Sequence, residues 1–458
     1  MPLISIDPAT GRERARYEEH PAAELERRLE RSAAAFRRWR QVPATGRAAS
    51  LARAAAALRA RREELAALAV GEMGKTIGAA RAELDKCART LDWYAAHAPA
   101  LLRPRPVATE AAASRVRFDP LGPVLAVMPW NFPYWQVVRF AAPALAAGNT
   151  ALVKHASNVT GCALALESVY AEAGLPDGVF QALLAGSDAV AGLIADRRIA
   201  AVTLTGGERA GVAVGEASGR ALKKHVLELG GSDPFLVLPS ADLPRAVAAA
   251  VAARAVNNGQ SCIAAKRFLI HEAIWEPFVE RFTAAFTALA VGDPADPATE
   301  LGPLATEAIR AELDRQVRAT VAAGGRLLAG GAPLPGPGWF YPATVIAEPP
   351  PDSPALAEEL FGPVAPLIRV PDLDRAIALA NASDLGLGAA VWTRDPAEAA
   401  RAEAELEAGS VFVNAVVASD PRLPFGGVKR SGHGRELGEA GLLEFVNVKT
   451  VWVGEGLA

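Results

Sequence analysis

Three kinds of hydrophobic spacing succeed one another along the chain. From about residue 22 to 98, apolar positions recur at helical intervals among Ala, Leu, Arg and Glu with few Gly or Pro, which predicts two or three long helices. Charge runs inside this stretch, such as Arg61-Arg62-Glu63-Glu64, read as solvated helix faces. After Gly122, short β-branched runs alternate with Ala-rich segments, the pattern of βαβ units around a mostly parallel sheet. Strands are expected at 124–128, 151–153, 179–182 and 201–204, with room for a nucleotide-sized ligand at their carboxyl ends. A second alternating set begins near Pro234, with strands at 235–238, 267–271, 365–370, 388–392 and 410–414 and helices at 243–256 and 274–289. The Pro/Gly cluster at 330–338 and Pro349-Pro350-Pro351 mark surface loops, because the alternation resumes beyond them.

With 458 residues the chain is too long for one ordinary domain, and its composition, 51% hydrophobic and 22% charged, is that of a folded protein. A formal net charge of −3 provides no basic field for nucleic acid or anionic lipid, so the expected partners are small molecules. The start of the sequence has neither the basic region nor the apolar core of a signal peptide. The uncharged stretch 120–138 is broken by Gly122, Pro123, Pro129, Asn131 and Pro133, so no membrane helix is expected there. Three sparse cysteines, Cys87, Cys162 and Cys262, fit a reducing cytoplasm better than a disulfide framework.

Two phosphate-binding motifs fail. Gly74-Lys75-Thr76 lacks the earlier glycine of a P-loop, having Ala69 in its place, and Gly432-His433-Gly434 meets Leu437 where a dinucleotide fingerprint needs its third glycine. No His or Cys spacing matches a metal site, so none is expected. Three residues do suggest chemistry. Cys262 lies in the polar segment Asn257-Asn258-Gly259-Gln260-Ser261-Cys262, where a thiol can meet a ligand, whereas Cys87 and Cys162 sit in helical stretches as small hydrophobes. Glu228 interrupts an apolar strand, and burial would raise its pKa toward the range of a general base; a structural ion pair is the alternative. Asn131, at the end of a predicted strand, is either an oxyanion donor or a loop residue satisfying backbone.

At these positions the chain resembles the aldehyde dehydrogenase superfamily. The resemblance rests on Pro-Trp-Asn-Phe-Pro at 129–133, Glu-Leu-Gly-Gly at 228–231, Gly-Gln-Ser-Cys at 259–262, Glu-Leu-Phe-Gly-Pro-Val at 359–364 and Pro-Phe-Gly-Gly-Val-Lys-Arg-Ser-Gly at 424–432, in the family's order. It implies an α/β fold with a doubly wound cofactor domain (1–100 and 122–228), an α/β catalytic domain (229–430) and a small oligomerisation element (101–121 and 431–458) that forms a homodimer or homotetramer. It also implies oxidation of an aldehyde to an acid, with Cys262 as nucleophile, Asn131 and the Cys262 N–H as oxyanion donors and Glu228 as the base that activates water.

The resemblance further assigns Trp130, Lys154, Ser157, Thr205, Gly206, Glu359 and Phe361 to the nicotinamide cofactor. Gly207 stands where most relatives have Ser. Many NAD-preferring relatives carry Glu at the position of Ser157, so NADP is the expected cofactor, with NAD possible. The segments 259–267 and 418–427 resemble a bacterial succinate-semialdehyde dehydrogenase branch, which implies that Arg139 faces a substrate carboxylate in a pocket lined by Trp135, Ser419 and Phe425. Some relatives carry a further Arg at the position of Val256, and a second cysteine at that of Ala264, so no intramolecular thiol switch is expected here. The alternatives are a broader medium-chain aldehyde dehydrogenase and a non-catalytic relative of the same fold.

Overall fold

The computed structural model describes residues 2–456. Four helices, not two or three, occupy the first helical stretch: Ala22–Trp39, Ala44–Ala60, Arg62–Met73 and Ile77–Leu101. The breaks have local causes. Pro43 precedes the second helix, Gly74 ends the third with φ of 82°, and Thr76 caps the fourth by accepting the Ala79 N–H at 3.3 Å. Ahead of them, Leu3–Asp7 and Arg12–Tyr17 form a hairpin that the sequence reading does not anticipate.

The first large sheet runs in the order Gly432–His433, Lys224–Glu228, Ala201–Thr205, Pro123–Met128, Thr150–His155, Phe180–Ala182. All neighbours are parallel except the first pair. Strand order reverses at Pro123–Met128, which pairs with Thr150–His155 on one side and with Ala201–Thr205 on the other. Such a reversal opens a crevice at the carboxyl ends of the strands. Asn131, Ser157, Gly206 and Gly230 all follow those ends.

The second sheet has seven strands, ordered Arg326–Ala329, Thr344–Ala347, Val364–Val370, Ala265–His271, Asp233–Val237, Ala389–Trp392, Val411–Val413. The first two are additional to the sequence reading: Arg326–Ala329 is an antiparallel edge strand, and Thr344–Ala347 is four residues long. A third sheet joins Val446–Val453 to Ala113–Pro120 and Arg105–Pro106.

The helix Trp135–Ala147 is buried along its whole length beneath the four N-terminal helices. Its start is fixed by the buried Glu83, whose Oε1 accepts the N–H groups of Tyr134 and Trp135 at 2.8 Å each and whose Oε2 pairs with the equally buried Lys75. A carboxylate there is favoured by the positive end of the helix dipole. Residues 425–446 return to this helix: Phe445 meets Phe140 edge-on at 5.6 Å, and its carbonyl accepts Asn149 Nδ2 at 2.9 Å.

Candidate active site

The segment bearing Cys262 leaves the helix Leu243–Ala255 through three consecutive left-handed residues, Asn257, Asn258 and Gly259, with φ of 54°, 59° and 75°. Asparagine tolerates this region better than most side chains. At Gly259 a Cβ would come within 2.3 Å of the Gly362 carbonyl carbon, so only glycine fits. Asn257 Nδ2 donates to the carbonyls of Asn131 and Gln260 at 2.7 and 3.1 Å, and Asn258 Nδ2 donates to those of Gly74 and Pro303 at 2.9 and 3.1 Å. The loop is thus sewn to three other segments.

Two buried cations complete the seam. Arg254 donates to the carbonyls of Ala265, Gly259 and Leu360 at 2.9, 2.8 and 3.3 Å and also to that of Gly362, joining the Cys262 loop to the Leu360–Gly362 turn. Lys266 Nζ donates to the carbonyls of Ser261 and Cys262 at 2.8 Å each and lies 3.1 Å from Glu359 Oε1. Neither residue was singled out from the sequence, where each looks like an ordinary charge in an Ala-rich or strand segment. The Asn-Asn-Gly run, by contrast, is a readable signal for positive φ.

Cys262 forms part of the wall of two cavities. One, of about 220 Å³, is lined by Trp130, Asn131, Thr205, Gly206, Glu359 and Phe361 together with Cys262. The other, of about 320 Å³, is lined by Lys86, Trp135, Arg139, Ser419 and Phe425 together with Cys262. The sequence-derived candidates therefore sort into two groups that meet at the thiol. Glu228, Lys154 and Ser157 line neither cavity. A larger cleft of about 940 Å³ runs from Gly230 and Glu359 toward Arg430 and does not reach the thiol.

Burial is the largest influence on the site's titratable groups. Burial pushes the Cys262 thiol up to about 11, against the pull of Arg139 and Lys266. Asn131 donates one amide hydrogen to the Gln260 carbonyl at 3.1 Å, which leaves its second hydrogen for another acceptor. Glu228 ends its strand buried, with neither carboxylate oxygen hydrogen-bonded among the described residues. Burial raises its pKa well above the carboxylate range; Arg139 opposes the rise and Glu436 adds to it.

Arg139 is paired with Glu436, donates from Nη2 to Thr205 Oγ1 at 3.2 Å and lies 4.8 Å from the centre of the Phe425 ring. Glu436 is a partner the sequence did not reveal, since it lies almost 300 residues away along the chain. A second cation in the same cavity, Lys86, was likewise not anticipated. It sits one helical turn beyond Glu83, where it looks like any exposed lysine of a helix.

The 220 Å³ cavity has the features a nicotinamide dinucleotide requires. Trp130 and Phe361 stand edge to face at 5.6 Å. Glu359 uses Oε1 for the Gly231 N–H and Lys266, and its Oε2 lies where a Cβ on Gly230 would come within 2.4 Å, so the glycine makes room for the carboxylate. Gly206-Gly207 lead into the helix Glu208–Arg220, and a Cβ on Gly207 would meet nothing within 4 Å. Helix N-terminal amides beside such open space suit a diphosphate. Lys154, near the end of the strand Thr150–His155, is half-buried, and Ser157 beyond it is exposed at the start of a single turn. Burial lowers the Lys154 pKa, and the nearby charges of Glu19 and Asp188 oppose that.

The aldehyde dehydrogenase family model matches residues 2–451. The NADP(+) succinate-semialdehyde dehydrogenase 1 of Mycobacterium tuberculosis is 50% identical over 456 residues, covering 99% of this chain and 100% of that protein. The corresponding protein of Mycobacterium ulcerans is 55% identical over 376 residues, 81% of this chain and 82% of its own. The structure of succinic semialdehyde dehydrogenase from Streptococcus pyogenes in complex with NADP+ superposes with a TM-score of 0.97 at 35% identity, covering 99% of this chain and 100% of the other. That of succinate-semialdehyde dehydrogenase from Burkholderia pseudomallei gives 0.96 at 34% identity, covering 99% and 95%. A match of this extent, over two sheets meeting at one thiol, makes the chain a member of the aldehyde dehydrogenase family.

Proposed function

We propose that the protein oxidises succinate semialdehyde to succinate with NADP+ as the hydride acceptor. The observation that carries this reading is the place of Cys262 in the wall between the two cavities, reachable by a dinucleotide from one side and an aldehyde from the other. All four relatives named above carry this activity in their names, and three of them carry NADP+ as well, which supports both assignments.

When bound between Trp130, Glu359 and Phe361, NADP+ supplies the hydride acceptor that the oxidation needs. The chain supplies the rest. Cys262 first gives its proton to solvent water in the cavities it lines, because burial keeps the thiol protonated at neutral pH, and Sγ then bonds to the aldehyde carbon as the carbonyl π electrons move onto oxygen. The free hydrogen of Asn131 Nδ2 and the Cys262 N–H donate to the oxygen that becomes negative. In the second half of the cycle the ionised form of Glu228, which Arg139 favours against burial, takes a proton from water, the water oxygen bonds to the acyl carbon, and Sγ leaves. The absence of a glutamate at position 157 removes one repulsion of a 2′-phosphate, and Ser157 with Lys154 supplies donors.

The exposed Val448 and Trp452 on the third sheet support self-association through that sheet. All three cysteines are unpaired, which supports a reducing, cytoplasmic setting. Among the described residues, no helix is long and apolar enough to cross a membrane.

A broader medium-chain aldehyde dehydrogenase is the second reading. It is favoured by the pairing of Arg139 with Glu436 and by the aromatic and aliphatic lining from Trp135, Val417 and Phe425. Initial-rate formation of NADPH and NADH with succinate semialdehyde, butanal and hexanal decides between the two. The proposal expects the highest kcat/KM for succinate semialdehyde with NADP+. Equal or better use of hexanal overturns the substrate assignment, and a tenfold preference for NAD+ overturns the cofactor assignment.

A further inference from the structure

The substrate cavity holds two cations, and their surroundings differ. Arg139 already has a carboxylate partner in Glu436, a hydroxyl acceptor in Thr205 and an aromatic face in Phe425. Lys86, on the helix Ile77–Leu101, has no carboxylate within ion-pair distance among the described residues, although it lines the same cavity. Its Nζ donates to Ser419 Oγ at 2.6 Å and lies 4.3 Å from the centre of the Trp135 ring. An ammonium has three hydrogens. Ser419 takes one, the ring face attracts a second, and a third is left for a ligand. Ser419, accepting from Lys86, keeps its own proton to donate.

We propose that Lys86, together with Ser419, holds the distal carboxylate of the substrate and so selects for aldehydes that carry one. The inference rests on the aldehyde oxidation at Cys262 proposed above and names the residue that decides its substrate class. A carboxylate placed on Arg139 would have to share one guanidinium with Glu436, whereas on Lys86 it meets a half-buried charge with no ion-pair partner among the described residues. An uncharged aldehyde leaves that charge as it is.

The charged and titratable groups around Lys86 agree with this. Burial lowers its pKa to about 8, Arg139 and Arg89 lower it further in kind, and Cys87 and Glu83 oppose them. Asp420, next to Ser419, is held by Arg422 through bonds of 2.8 and 2.7 Å. A bound carboxylate would keep Lys86 protonated. Affinity for the charged substrate is therefore expected to fall as the pH rises past about 8.

The test compares Lys86→Met, which keeps length and removes charge, with Lys86→Arg, which restores a cation. In Lys86→Met, kcat/KM for succinate semialdehyde should fall about 30-fold further than for butanal, mainly through KM, as expected for loss of a charge-assisted contact. Lys86→Arg should recover most of the difference. The wild-type rise in KM for succinate semialdehyde above about pH 8 should vanish in Lys86→Met.

Equal losses for both aldehydes, or selectivity that survives in Lys86→Met and disappears in Arg139→Met, overturn the inference. Calorimetric titration with succinate separates it from the catalytic reading. Succinate binding to wild type that weakens at least tenfold in Lys86→Met supports the role of Lys86 even if turnover favours another aldehyde. Binding that is undetectable in wild type, or unchanged in the variant, refutes it.

Discussion

Acidification is expected to destabilise the protein through His155, and the structure gives the magnitude. The imidazole is buried at the end of the strand Thr150–His155, with Nε2 2.8 Å from the Pro133 carbonyl and Nδ1 accepting the Ala156 N–H at 2.9 Å. Only the neutral ring with its proton on Nε2 satisfies both bonds, because a protonated Nδ1 would face the Ala156 N–H donor to donor. Burial is the larger cause that lowers its pKa from 6.5 to about 4; the Pro133 carbonyl opposes it, and Lys154 adds to it.

A depressed folded-state pKa means that the unfolded chain binds the proton first. The stabilisation is therefore complete above pH 6.5 and is lost as the pH falls toward 4. The full loss is about 3 kcal/mol, and roughly 2 kcal/mol of it is gone by pH 5. Urea unfolding followed by tryptophan fluorescence at pH 7.5 and pH 5, on wild type and His155→Gln, measures it. The glutamine amide can donate to Pro133 but does not titrate, so the variant should lose about 2 kcal/mol less than wild type over that interval. His20, also lowered to about 4, titrates in both proteins and cancels in the comparison. Parallel pH dependences, or an imidazole resonance for His155 titrating near 6.5, would refute the reasoning.

Three further outcomes follow from the site. Iodoacetamide labelling of Cys262 in the protein without cofactor should accelerate steadily from pH 7 to beyond pH 10, because the thiol titrates at about 11; a plateau near pH 8, or labelling that survives Cys262→Ala, contradicts this. Glu228→Gln should release about one equivalent of NADPH per site in a burst and then turn over at least 100-fold more slowly than wild type, since only the hydrolytic half-cycle loses its base; a slow first turnover points elsewhere. Arg254→Met strips a donor from four buried carbonyls and should cost about 3–5 kcal/mol in urea unfolding, with Arg254→Lys recovering part of it; a cost under about 1 kcal/mol would show that the seam is not held this way.

The parallel strands were legible because they are apolar runs set off by turn residues, and the expected 201–204 appears as Ala201–Thr205. Arg326–Ala329 escaped because an edge strand with half its residues exposed has no continuous apolar signature. Glu359 was legible only through the family resemblance, whereas Cys262 and Asn131 announced themselves through unusual neighbours, a polar turn and a Pro-bounded apolar run. Arg254, Lys266, Lys86 and Glu436 did not. Each is a charged residue in an ordinary helix or strand context, and its importance comes from carbonyls and side chains supplied by distant segments. Arg139 shows the limit from the other side. Its place in the cavity was anticipated from a resemblance, but its pairing with Glu436 belongs to tertiary structure.

The return of residues 425–446 to the helix Trp135–Ala147 has a consequence for biosynthesis. Phe425, Glu436 and Phe445 leave the ribosome after every other part of the site has been made, so Arg139 spends most of translation without its counter-ion. The aldehyde pocket is therefore completed late, and a nascent chain bearing Cys262 acquires its finished surroundings only once the last strands are threaded into place.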